Sequence, residues 1–112
     1  MNWIAAGTVS LAIAMGLALV SRNAQARPVP LALGLTHAAT ALVAVGVLTA
    51  AALAPGDDYR LNSALICLVL ALVGGAFNLL FRLEGERAPG FMIVLHALAG
   101  VAGLVLVWLA VV

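Results

Sequence analysis

Residues 82–103 read RLEGERAPGFMIVLHALAGVAG. A charged cluster ends in Ala88-Pro89-Gly90, and from Phe91 to Val112 no charged side chain appears. An apolar run of this length matches the ~20 residues that cross a bilayer as a helix. About two turns inside it stands His96, and an imidazole in hydrocarbon costs free energy unless a partner engages it.

The rest of the chain has the same construction. Apolar residues make up 66% of the sequence and charged residues 8%, a balance outside that of soluble domains. Four stretches of spanning length occur, at residues 3–21, 29–54, 61–81 and 90–112. Between them lie SRNAQARP, APGDDYR and RLEGERAPG, and the charges and prolines fall in or beside these breaks. The sequence predicts an all-α integral membrane four-helix bundle, a single transmembrane domain over residues 1–112. The small-x-small triplet Ala24-Gln25-Ala26 has the form of a signal-peptidase site. However, no Lys or Arg precedes the first apolar run and Arg22 lies within the would-be cleavage region, so the segment reads as a retained first helix.

Arginines set the expected topology. Arg22 and Arg27 lie in the first connection, Arg82 and Arg87 in the third, and only Arg60 in the second; the chain has no lysine. Connections one and three are therefore expected on the cytoplasmic side and both termini on the other, with a bacterial inner membrane as the setting. A net charge of +1 gives no reason to expect nucleic acid.

An internal repeat runs through these features. Arg27-Pro28-Val29-Pro30 leads into an apolar run containing His37, and Arg87-Ala88-Pro89-Gly90 leads into one containing His96. Gly16 and Arg22 precede the first stretch as Gly75 and Arg82 precede the second. Residues 1–56 and 57–112 thus read as two similar helical hairpins, and with an even number of spans in each, the two are expected to be parallel-oriented.

That repeat gives the histidines a shared chemistry. Counting ~1.5 Å per residue from the helix starts, His37 and His96 lie on the order of 10 Å deep on related helices. They are the only two histidines in the protein. Two facing imidazoles suit haem b, whose iron takes one nitrogen from each side of its plane. Gly100 and Gly103 share a helix face with His96, and Gly34 lies near His37, leaving room for a flat macrocycle. Arg27 and Arg87, with Arg22 and Arg82, stand where acidic substituents would emerge. A plainer reading accounts for each part separately. Small residues serve close helix packing in lipid, the arginines follow charge topology, and each histidine hydrogen-bonds a neighbour such as Thr36 or Asn78. A pigment bound through each histidine, a quinone near Asn78 and a transported metal are further readings.

Other chemistries find little support. No carboxylate lies within a span to complete a zinc or copper shell or to carry a coupled proton. No nucleophile–base pair, phosphate-binding glycine loop or Cys-x-x-Cys-His motif is present, so the sequence supplies no catalytic machinery of its own. Cys67 reads as apolar filler, Asp57-Asp58 as a solvated turn, and Trp3 and Trp108 as interfacial anchors. The expected function is a small membrane subunit binding haem between His37 and His96 and serving electron transfer in a larger redox complex. The alternative is a cofactor-free structural or assembly subunit. Besides the lipid bilayer, other membrane subunits or a homodimer are the expected partners.

Overall fold

The computed structural model describes residues 2–56 and 58–112; Asp57, read above as part of a solvated turn, lies outside them. Four helices, α1 (Asn2–Ala24), α2 (Leu31–Ala52), α3 (Tyr59–Leu83) and α4 (Gly90–Val111), account for nearly all of the described chain. Each is long and apolar enough to cross a membrane. At ~1.5 Å per residue, 22 residues make a rod of roughly 33 Å, close to the thickness of a hydrocarbon core. The bundle measures 45 × 20 × 19 Å. Its helices pack in a ring, α1 on α2, α2 on α3, α3 on α4 and α4 on α1. Consequently α2 and α4, which carry the histidines, sit diagonally.

The first and third connections end their helices by the same device. Arg27 N–H donates to Arg22 O and Ala26 N–H to Asn23 O, while Glu86 N–H donates to Phe81 O and Gly85 N–H to Arg82 O. This pair of bonds closes a helix around one left-handed residue, here Ala26 (φ 52°) and Gly85 (φ 75°). Extended prolines, Pro30 and Pro89, then precede α2 and α4. Ala26 and Gly85, Pro30 and Pro89, and His37 and His96 are all related by a shift of 59 positions (96 − 37). The arginines that prompted the sequence alignment are one residue out of that register, so Arg27 corresponds in place to Glu86 rather than to Arg87.

The second connection is built differently. Asp58 caps α3 by accepting from Arg60 N–H at 3.0 Å and binds the Arg60 guanidinium through both carboxylate oxygens, at 3.0 and 3.1 Å. The same guanidinium donates to Leu109 O, which ties this turn to the end of α4. Nearby, Trp3 meets Trp108 edge to face at 5.9 Å, and Trp108 Nε1–H donates to Ser10.

Burial divides the bundle along its length. Ala5, Val9 and Ala12 of α1, Ala44, Leu48 and Ala51 of α2, Leu61, Ala64, Leu68 and Ala71 of α3, and Gly100, Gly103 and Val107 of α4 are buried. Their three- and four-residue spacing draws one inward stripe on each helix. All lie in the half where α1 and α3 begin and α2 and α4 end. Mostly alanine and glycine, they let the backbones approach closely. Large apolar side chains such as Leu11, Leu42, Ile66 and Leu98 point outward.

Candidate functional site

The packed half stops at Ala12 and Ala71, and there the histidines begin. His37 Nδ1 lies 3.0 Å from Ala12 O, and His96 Nδ1 lies 2.6 Å from Ala71 O; each bond spans 25 residues within one hairpin. A carbonyl oxygen only accepts, so each Nδ1 carries a proton, an arrangement in which a neutral ring has its lone pair at Nε2. A ligating histidine is typically held in this way, its second nitrogen donating to a carbonyl and thereby fixing tautomer and orientation. The two rings meet edge to face, with centroids 6.1 Å apart and planes at 89°.

Glycines make this placement feasible. A Cβ on Gly16 would lie 3.1 Å from His37 Cε1, and one on Gly75 would lie 2.9 Å from His96 Cε1. The neighbouring Gly74 also lies against His96, its Cβ position 3.4 Å from the histidine Cβ. Gly16 and Gly75 were visible in the sequence as part of the repeat, but nothing there showed that they lie under the imidazoles.

Beside the histidines the four helices line a cavity of about 800 Å³, within the range of small-molecule sites. Ala12, Ala44, Leu68 and Ala71 form its floor; Asn23, Val29, Glu86 and Arg87 mark its mouth beside connections one and three. Of the residues expected to hold a cofactor, His37, His96, Gly34, Gly100 and Arg87 line this space. Gly103 and Arg27 do not. Gly103 is buried below the floor, where a Cβ would lie 2.6 Å from Leu68 Cγ, so its smallness serves helix packing. Arg27 is exposed on the turn after α1. Gly34 faces Arg82, whose Nη1 lies 3.9 Å from the Cβ position.

Neither side chain suggested as a histidine partner has that role. Thr36 donates to Ala32 O in its own helix, and Asn78 Oδ1 is buried with no hydrogen-bond partner. The partners are backbone carbonyls, which side-chain chemistry does not announce. Among the described residues, no three His, Cys, Asp or Glu gather as a metal site, so any ion here would draw on two imidazoles and on ligands that a cofactor itself brings. No known protein family matches the chain, and no curated protein or solved structure shows significant similarity to it.

Proposed function

We propose that the chain is a small membrane subunit that binds haem b between His37 and His96 and passes electrons to a partner. The observation that carries this reading is the 6.1 Å separation of two imidazoles whose Nδ1 atoms are both tethered to carbonyls. With Nδ1 of each ring donating to a carbonyl, His37 and His96 would hold the group through Nε2. The apolar cavity beside them supports the reading with space for a macrocycle. Bound there, the group supplies one-electron chemistry; the protein supplies ligation, orientation and an apolar surround.

In this reading the chain lies in a bacterial inner membrane as two like-oriented hairpins of similar construction, residues 1–56 and 57–112. Connections one and three are cytoplasmic, and both termini lie on the opposite side. The shift of 59 positions (96 − 37) that relates turns, prolines and histidines supports the repeat. The histidine pair lies toward one end of the bundle, so transfer across a bilayer requires a second redox group: another subunit, a quinone or a second copy of this chain.

One observation favours the alternative of a cofactor-free structural subunit: each imidazole already fastens two helices of its own hairpin through its carbonyl bond. A reduced-minus-oxidised visible spectrum of the protein, produced with ample haem supply, separates the two. A sharp reduced α-band that disappears in both His37→Ala and His96→Ala is the expected result. A colourless, well-folded wild type would overturn the haem reading and leave the histidines as fasteners.

A further inference from the structure

The polar residues of the cavity are not shared evenly between the hairpins. On α3, Gly75, Asn78 and Arg82 all line the cavity at helical spacing. On α1 the positions corresponding to Gly75 and Asn78 are Gly16 and Leu19, so the amide has no counterpart. Asn78 Oδ1 is buried and unpartnered, a condition that costs free energy in an apolar interior. A half-turn of the amide exchanges its oxygen and NH₂, so either can be aimed at a ligand. Arg82 lies one turn further toward the mouth, half-buried, and donates to the backbone carbonyl of Val29, across the mouth from α3. Among the described residues the one ion pair joins Arg60 to Asp58. Glu86 lines the same mouth without pairing to Arg82 or Arg87. A guanidinium at the wall of an apolar cavity, held only by a carbonyl, lacks the counter-charge that such an environment favours.

We infer that Arg82, with Asn78 beside it, recognises a carboxylate of the ligand that enters this cavity, exchanging the Val29 carbonyl for the acid. Two arginines line the cavity, Arg82 half-buried in its wall and Arg87 exposed at its mouth, while Arg27 is exposed outside it, so Arg82 is the cation placed for this task. The inference rests on the cavity being a ligand site, as proposed above, but not on iron ligation by the histidines. The acid is either a porphyrin propionate or the carboxylate of a fatty acid, since both join an apolar body to a charged end.

Metal-free protoporphyrin IX and its dimethyl ester are the probes, titrated by fluorescence into the full chain in lipid nanodiscs. They share a ring and differ in their carboxylates, and neither contains iron. Wild type is expected to prefer the acid at least tenfold. Arg82→Gln should remove that preference and leave ester binding unchanged. Arg82→Lys should retain much of it, Asn78→Leu should weaken acid binding several-fold, and Arg27→Gln should change nothing. Equal affinity for acid and ester in wild type, absence of binding included, overturns the inference; this comparison needs no variant to fold. An equal loss of both ligands in Arg82→Gln also overturns it, because the residue is then only a strap. Oleate that displaces protoporphyrin from wild type but not from Arg82→Gln identifies the acid as a lipid, and oleate without effect identifies it as the porphyrin's. A haem spectrum indifferent to the histidines, with the acid preference intact, would sink the haem reading alone. A bis-histidine spectrum from a protein with no acid preference would sink this one alone.

Discussion

The imidazole of His96 lies where a Cβ on Gly75 would press against it, 2.9 Å from Cε1. Because the ring is also held at Nδ1 by Ala71 O, it cannot withdraw without giving up that bond. Gly75→Ala is therefore expected to lose the carbonyl bond and to destabilise the fold by roughly 1–3 kcal/mol, the usual cost of overpacking. Gly16→Ala meets His37 at 3.1 Å and should be milder. Denaturation of both variants in the same detergent checks the order; a Gly75→Ala protein as stable as wild type would show that the ring has room to move.

The paired turns offer a stabilising change. Ala26 adopts the left-handed conformation that Gly85 adopts in the corresponding turn, and a Cβ there carries a steric cost. Ala26→Gly is expected to raise stability by roughly 1 kcal/mol, and Gly85→Ala to lower it by about as much. Thermal unfolding of the two single variants measures this directly. Equal and negligible shifts would mean that the turns relax without cost.

Below the cavity floor, Gly103 and Leu68 compete for one space, with a Cβ on the glycine only 2.6 Å from Leu68 Cγ. Gly103→Ala should cost roughly 1–3 kcal/mol, and Leu68→Ala in the same chain should recover part of that loss. Protoporphyrin binding, if present in wild type, should change little in the Gly103→Ala single variant. A selective loss of ligand with unchanged stability would return Gly103 to the cavity wall and away from helix packing.

Asp58 gives the second connection a pH dependence. The Arg60 side chain, bonded to its carboxylate, and the Arg60 backbone N–H hold the Asp58 carboxyl below its ordinary value. A lowered folded-state value stabilises the fold above the unfolded value, near ~3.9, and the contribution is lost as pH falls through the folded value. Asp58→Asn keeps a capping side chain and removes the charge. Wild type should therefore exceed the variant in stability at neutral pH, with the gap closing only below about pH 4. A gap that stays constant across this window would show that the charge contributes nothing.

The four helices were legible in composition alone, because apolar runs of spanning length leave few other folds available. Their ends shift by only a few residues, since Ser21–Ala24 and Arg82–Leu83 continue α1 and α3 into segments whose polarity suggested connections. The meeting of His37 with His96 followed from their matching depths. The register of the two halves was obscured by the arginines, which align by type but not by place; the left-handed turn residues and the prolines mark the correspondence instead. The cavity left less trace. Apolar residues cover every face of these helices, so nothing in the pattern distinguishes a packed stretch from one that lines a cavity. Its lining mixes large residues such as Leu19, Leu72 and Asn78 with small ones such as Gly16, Ala38 and Gly75, as the packed half does too.

The division of the bundle at Ala12 and Ala71 gives its interior two unlike halves. Val9, Leu48 and Val107 are wholly enclosed in the packed half, and Val9 also borders the cavity. The two ends of the bundle are thus built differently, one drawn together by small inward residues and the other lined around the two imidazoles by a mostly apolar hollow.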